Sequence, residues 1–216
     1  MKAFSKRLAE TINLISYCPE PELIKSWASV NLIFSLVEEE PSIAMIKRAA
    51  NPLDPWSGHY AFPGGRLESG EGYWEAARRE TFEEVGISSN PLGEFLKFQV
   101  RYKKKSTPYA ISAHLSFYDH HEGHFTIDER EVEEAFWFPL KNFLREENVK
   151  NLPLGRDKVS KYPCVTFDGH IIWGISYFIL WELFKQLSPL NEPVNFRTEH
   201  LPAYSYHHES NEFLGT

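Results

Sequence analysis

Cysteine and long apolar runs are both scarce in this sequence. Its 216 residues include 2 cysteines, Cys18 and Cys164, which are far apart and lack the spacing of a metal site. We therefore expect two reduced thiols, as is typical of a cytoplasmic protein, and no disulfide framework. No stretch approaches the ~20 apolar residues that a membrane-spanning helix needs, so we expect no association with a membrane.

An excess of positive charge is also absent. Lysine and arginine together number 23 against 30 aspartates and glutamates, and the formal net charge is −7. Non-specific binding of nucleic acid requires many cations on one surface, so no nucleic-acid partner is expected, although a local basic pocket for a small anion remains open. The chain is 42% hydrophobic, which is enough for one sizeable core.

The composition changes near both ends of the chain. Residues 1–27 predict an amphipathic helical segment, because charges interrupt the apolar residues and no signal-peptide core is present. Residues 28–187 contain the apolar runs and are expected to form one domain. Residues 188–216 are rich in Pro, Asn, His and Glu and predict a polar tail outside the core.

Several short apolar and aromatic runs between these ends predict strands. "SWASVNLIFSLVEE" and "SIAMIKRA" are expected to pair, as are "LGEFLKFQVRY" and "YAISAHLSFYDH". "EVEEAFWFPLKNFL" is interpreted as an acidic loop, a short strand and a helix. A hairpin around Asp168-Gly169 precedes an apolar helix from about Trp173. Strands and helices that mix without regular alternation favour an α/β sandwich.

The stretch "GGRLESGEGYWEAARRETFEEVGI" at residues 64–87 combines glycine turns with a crowded acidic helix, expected from about Gly72 to Val85. Glu80, Glu83 and Glu84 lie three or four positions apart, where like charges destabilise a helix by ~0.2–0.5 kcal/mol per pair. A solvated acidic face is one explanation. A hard divalent cation is the other, because it prefers oxygen ligands and suppresses their repulsion.

The spacing of Gly65, Glu71, Arg79-Glu80, Glu83-Glu84 and Gly86, followed by apolar Ile87, resembles the Nudix box. Its one departure is Thr81, where an aliphatic residue is more usual. The resemblance implies a Nudix hydrolase, an α/β/α sandwich with a mixed sheet and a loop–helix–loop that carries the box. Such an enzyme cleaves a diphosphate linked to another moiety and uses Mg²⁺ or Mn²⁺, which neutralises the diphosphate and activates water.

The resemblance also implies a role for each residue of the box. Glu80 and Glu84 match the principal metal ligands, and Glu83 matches a third ligand or a water-mediated contact in catalysis. The Gly64 carbonyl matches a backbone ligand, which a sharp turn at Gly64 and Gly65 would present. The remaining box residues match an orienting and bracing pair and two structural glycines: Arg79 with Glu71, and Gly65 with Gly86.

A catalytic base is often supplied in this family by a glutamate before a late tryptophan-containing strand. "DEREVEEAFWFPL" offers three candidates, of which Glu131 has the expected distance from the tryptophan. Glu133 and Glu134 remain alternatives, and so does a solvated acidic loop.

The segment "IKRAANPLDPWSGHYAFPGGR" resembles the one that precedes the box in coenzyme A pyrophosphatases. It is about one residue longer, and an inner arginine of that pattern is absent around Leu53 and Asp54. "IIWGISYFIL" is also similar to a helix start of that subgroup. The implied substrate contacts are Arg48, His59 and Arg66, although His59 could instead be a packed histidine and Arg66 could pair with a box acid.

These patterns predict a metal-dependent hydrolase of a small nucleotide diphosphate, with coenzyme A-type substrates first. Nucleoside diphosphate sugars and nucleoside triphosphates are alternatives, as is a non-catalytic nucleotide-binding regulator. Either a monomer or a homodimer is compatible with the sequence. The substrate is selected by loops outside the box, so the box residues do not identify the substrate.

Overall fold

The structure is a computed structural model, and it describes residues 27–54, 56–100, 109–118, 124–154 and 161–187. The predicted N-terminal helical segment up to residue 26 and the predicted polar tail at 188–216 lie outside the described residues. Within the described ranges, no helix is long and apolar enough to cross a membrane. Cys164 is buried with its thiol free.

A mixed sheet forms the centre of the domain. Seven strands of the described chain belong to it, in the order β3-β2-β1-β6-β5, with β4 paired to β1 and β7 paired to β2. β1 and β6 are parallel and the other pairs are antiparallel. The strands are β1 (Trp27–Val37), β2 (Glu40–Arg48), β3 (Tyr60–Ala61), β4 (Gly64–Arg66), β5 (Asn90–Val100), β6 (Tyr109–Phe117) and β7 (Val132–Pro139).

A smaller antiparallel sheet and two helices complete the described fold. The small sheet contains β8 (Val149–Pro153), β9 (Lys161–Phe167) and β10 (His170–Trp173). The hairpin between β9 and β10 turns at Asp168 and Gly169, both of which have positive φ, as a tight two-residue hairpin requires. The helices are α1 (Tyr73–Val85) and α2 (Gly174–Leu187), and the pairings predicted for both hairpins and the first two strands are confirmed.

Alternation along the central strands builds a core on each face of the large sheet. In β1, Leu32 and Phe34 belong to the cluster that contains the buried residues of α2, whereas Ile33 packs with Val85 at the end of α1. β2 alternates in the same way. The two helices therefore cover opposite faces, which confirms the expected α/β/α sandwich.

Three local predictions were wrong. β7 already begins at Val132, so Glu133 and Glu134 lie in a strand and not in an acidic loop, because this strand pairs with β2 along its whole length. The helix expected after it is a short 3-10 turn, Leu140–Asn142. Gly64 and Gly65 also form strand β4 beside β1, where a turn was expected.

Candidate functional site

The box helix has the predicted limits. α1 begins at Tyr73 and ends at Val85, and Gly86 follows in the left-handed conformation with φ 71°. The N–H of Gly86 donates to the carbonyl oxygen of Phe82, which closes the last turn. A Cβ atom on Gly86 would lie 2.9 Å from Cβ of Thr126, so both conformation and space favour glycine here.

Arg79 joins the helix to the preceding loop. Its Nε and Nη2 donate to the two oxygens of Glu71 over 2.8 and 3.0 Å, and Nη2 also donates to the carbonyl oxygen of Arg66. Its Nη1 lies 3.1 Å from an oxygen of Glu80 and 3.1 Å from one of Glu83. The Arg79 hydrogen bond holds the pKa of Glu71 below its ordinary value. The pair inferred to orient and brace the box is thus in direct contact.

The three box glutamates differ strongly in exposure. Glu83 is exposed and contacts Arg79, Glu80 is partly buried, and Glu84 is only 1% exposed. The three side chains therefore do not share one environment, since the last turn of α1 faces β4 at Glu84 and solvent at Glu83.

Glu84 lies at the centre of the site. The N–H of Gly64 donates to its Oε2 over 2.8 Å, and Nη1 of Arg48 lies 3.9 Å from its Oε1. The pKa of Glu84 is raised to about 8, mainly by burial and also by the charges of Glu80 and Glu131, although the Gly64 N–H and Arg48 oppose the rise. This carboxylate is thus buried with little positive charge to compensate it.

Glu80 lies directly over Gly65. A Cβ atom on Gly65 would lie 2.3 Å from Cδ of Glu80, so glycine at this position makes room for the carboxylate. Burial raises the pKa of Glu80, while Arg79 opposes that rise. A side chain at Gly65 would therefore displace the Glu80 carboxylate.

Glu131 faces the same carboxylates from the loop before β7. Its charge contributes to the raised pKa values of Glu80 and Glu84, whereas the two alternative bases have partners elsewhere. Glu133 pairs with Lys47, and Glu134 pairs with Nε2 of His170. Of the three candidate bases, Glu131 is the one that the fold brings to the box acids.

The three expected substrate contacts have different surroundings. Arg48 reaches Glu84, as described above. His59 packs against Trp173 with ring centroids 4.9 Å apart, and burial holds its pKa below the ordinary value. Arg66 is exposed on β4, and its side chain forms no ion pair with any other residue that the structure describes. The alternative of a salt bridge between Arg66 and a box acid is therefore not formed.

Sequence reasoning missed Asp54, whose carboxylate binds Arg48. Oδ2 of Asp54 accepts hydrogen bonds from Nε of Arg48 over 2.9 Å and lies 2.9 Å from Nη2, while its Oδ1 accepts from the N–H of Trp56. The only signal in the sequence was an aspartate where the coenzyme A pyrophosphatase pattern has an arginine.

The donor set around Glu84 fits a hard divalent cation. Among the residues that the structure describes, no three acidic, histidine or cysteine side chains converge closely enough to form a ready metal cage. However, Glu80, Glu84 and Glu131 supply oxygen ligands, and the pKa values of Glu80 and Glu84 are raised by burial and by neighbouring carboxylates, Glu131 among them. A cation would remove that repulsion, so these residues suit Mg²⁺ or Mn²⁺ chemically.

Comparison with known proteins agrees with this geometry. The model of the family described as NUDIX domain matches residues 27–159. The chain belongs to the NUDIX domain family. Nudix hydrolase 3 of Caenorhabditis elegans is 24% identical over 212 residues, which cover 87% of this chain and 86% of that protein. The expected enzyme class, a Nudix hydrolase, is thereby confirmed.

Two solved structures share the fold. A MutT/nudix family protein from Enterococcus faecalis superposes with a TM-score of 0.56 and 18% identity, covering 87% of this chain and 74% of that one. The NUDIX domain of NrtR from Shewanella oneidensis, complexed with ADP ribose, gives a TM-score of 0.52 and 12% identity, covering 81% and 96%. Nudix hydrolases generally use divalent metal ions.

Proposed function

We propose that this Nudix hydrolase cleaves the diphosphate bond of a small nucleotide derivative. The observation that carries the proposal is the burial of Glu84 among Gly64, Arg48 and the charges of Glu80 and Glu131. A buried carboxylate with acidic neighbours is costly unless a cation compensates its charge. A diphosphate that binds together with Mg²⁺ or Mn²⁺ brings such a cation to the site.

Glu80 and Glu84 would hold the cation, with Glu83 and the carbonyl of Gly64 as further ligands. When bound, the cation polarises the phosphoryl oxygens and lowers the pKa of water. Glu131 would accept the proton of the attacking water, since its carboxylate lies near the box acids and forms no ion pair with another described side chain. Arg79 would keep the glutamates in position.

The cationic side chains around the acids would hold the substrate. Arg48 is suited to a phosphate oxygen, because a guanidinium binds two oxygens at once and Nη1 already faces the site. Arg66 is exposed on β4 and directly follows Gly64 and Gly65. Its side chain would therefore reach a second phosphate. His59 would contact the nucleotide beside Arg48, to which its backbone is hydrogen bonded.

Coenzyme A-type compounds are the first candidate substrates, because the segment from Arg48 to Gly65 and the Trp173-Gly174 helix start resemble that subgroup. Nucleoside diphosphate sugars come second and nucleoside triphosphates third. Retention of Glu80, Glu83 and Glu84 argues against a non-catalytic regulator. We further propose that residues 28–187 form the catalytic domain, with 1–27 and 188–216 outside it, in a cytoplasmic protein.

A substrate panel tests this proposal. Purified full-length chain is incubated with coenzyme A, ADP-ribose, UDP-glucose and ATP, with Mg²⁺, with Mn²⁺ and with a chelator, and both products are identified by mass spectrometry. Coenzyme A should yield 3′,5′-ADP and phosphopantetheine. A much higher kcat/KM for a nucleoside diphosphate sugar would reject the first candidate substrate. Activity on the triphosphate alone would reject the first two, and activity on none would reject the proposed function.

A further inference from the structure

The guanidinium of Arg48 is held on one side by Asp54 and faces Glu84 with the other. Nε donates to Oδ2 of Asp54 and Nη2 lies 2.9 Å from the same oxygen, whereas Nη1 is directed to within 3.9 Å of Glu84. Asp54 is 13% exposed, so little water competes for its charge. Arg48 therefore has one fixed orientation, with a single nitrogen facing the carboxylate at the centre of the site.

Asp54 in turn is held by a loop with many internal hydrogen bonds. The N–H of Trp56 donates to its Oδ1 over 2.9 Å, and its own N–H donates to the carbonyl oxygen of Asn51. The N–H of Gly58 and the carbonyl oxygen of His59 pair with the backbone of Arg48 at the foot of the loop. The loop thus returns to β2, and these bonds hold the Asp54 carboxylate in place, so it cannot follow the guanidinium of Arg48 if that group moves away.

We propose that Asp54 is a positioning residue, which holds Arg48 so that Nη1 contacts a phosphate oxygen of the substrate beside Glu84. This inference rests on the proposed role of Arg48 in phosphate binding. A free arginine side chain loses rotamer entropy when it binds a phosphate, and a pre-oriented guanidinium has already lost it. Asp54 would therefore strengthen nucleotide binding without touching the nucleotide.

The Asp54→Asn variant separates this role from the folding of the loop. Asparagine retains Oδ1 as an acceptor for the N–H of Trp56 but replaces Oδ2 by an NH₂ group, which is a donor and opposes the donors of Arg48. The matched control is Asn51→Ala, which removes the acceptor for the N–H of Leu53 in the same loop and leaves Arg48 and Asp54 paired. Thermal unfolding is measured for each variant, and a cooperative transition establishes that the variant is folded.

A double-mutant cycle on nucleotide binding decides the question. Binding of ADP with Mg²⁺ is measured calorimetrically for the wild type, Asp54→Asn, Arg48→Ala and the double variant. We expect Asp54→Asn to weaken binding about 10-fold in the wild-type background, the loss of roughly one charge-assisted hydrogen bond. In the Arg48→Ala background it should cause no further weakening, and Asn51→Ala should bind ADP as the wild type does.

Equal weakening by Asp54→Asn in both backgrounds would overturn the inference, because Asp54 would then act independently of Arg48. Failure of the wild type to bind ADP would also overturn it. On a substrate found in the panel, Asp54→Asn should raise KM more than it lowers kcat. ADP binding without hydrolysis of any diphosphate would overturn only the proposed function, since the cycle does not depend on turnover.

Discussion

The N–H of Gly64 donates a hydrogen bond to Oε2 of Glu84 over 2.8 Å, so strand β4 holds the side chain at the end of the box helix. The two residues are 20 positions apart, and both are buried. Because β4 is also paired with β1, the backbone that holds the central carboxylate is itself anchored in the large sheet.

Gly64→Val should unfold the domain. The φ of Gly64 is 147°, and a Cβ atom would lie 2.3 Å from the carbonyl oxygen of Ser29 and 2.6 Å from Cα of Val30. Since both contacts are with backbone, we expect a loss of more than ~3 kcal/mol in the free energy of unfolding. Gly70→Val is the control, because no heavy atom lies within 4 Å of its Cβ position although its φ is also positive. Urea unfolding that shows both variants equally stable would contradict the prediction.

Without divalent cations, the domain should lose stability as pH rises through Glu84's titration range. Its pKa is about 8 in the folded protein against an ordinary value of 4.5, so between these values the folded state binds a proton that the unfolded state lacks. The free energy of unfolding therefore falls as pH rises from 4.5 to 8. Glu84→Gln should flatten this dependence. The check is urea unfolding of both proteins in chelator at pH 5 and pH 8, and identical pH dependences would refute the assignment.

Arg79→Ala should lower activity and stability together, whereas Arg78→Ala should change neither. Arg79 contacts Glu71, Glu80 and Glu83, while its neighbour Arg78 is exposed. Removal of Arg79 leaves a partly buried Glu80 without its cation, which costs about 1–3 kcal/mol. Thermal unfolding and kcat/KM are measured for both variants. If Arg78→Ala has the larger effect on either quantity, the bracing role of Arg79 is wrong.

Glu131→Gln should lower kcat about 100-fold or more, the usual contribution of a general base. Glu133→Gln and Glu134→Gln are controls of the same chemistry, because Glu133 pairs with Lys47 and Glu134 contacts Nε2 of His170, away from the box acids. The three variants are compared at saturating substrate and Mg²⁺, over a range of pH. The acid limb of the rate profile should disappear in Glu131→Gln alone. A larger loss in either control would transfer the role of base to that residue.

Local signals were sufficient to predict the box helix and the hairpins. The end of α1 at Val85 could be predicted because Gly86 and the spacing of the acids mark it. Asp168-Gly169 is likewise a strong signal for a hairpin turn. The assignment of Glu131 over its neighbours used a spacing from the resemblance, and the fold brings its charge near Glu80 and Glu84. The helix end and the hairpin turn depend on residues close together in the chain, whereas the approach of Glu131 to Glu80 and Glu84 depends on the fold.

Contacts between distant residues could not be predicted in the same way. The hydroxyl of Thr81 donates to the carbonyl oxygen of Ala77 and accepts from Nδ2 of Asn31, which is 50 positions away. The departure from the box pattern at Thr81 is thus matched by a buried amide on β1. The burial of Glu84 likewise depends on its contact with β4. Arg48 and Asp54 are close in the chain, but their pairing depends on the closure of a loop, which no periodicity in the sequence reveals.

Hydrolysis in H₂¹⁸O by the wild type and Glu84→Gln tests the central claim most directly. The substrate is the diphosphate that gives the highest kcat/KM in the panel, and mass spectrometry follows the label in both products. We predict that the wild type with Mg²⁺ or Mn²⁺ places one ¹⁸O atom in one of the two phosphate products, and that chelator or Glu84→Gln abolishes most turnover in a folded protein. Near-normal turnover by Glu84→Gln at saturating Mg²⁺, or cleavage that is unaffected by chelator, would contradict the account.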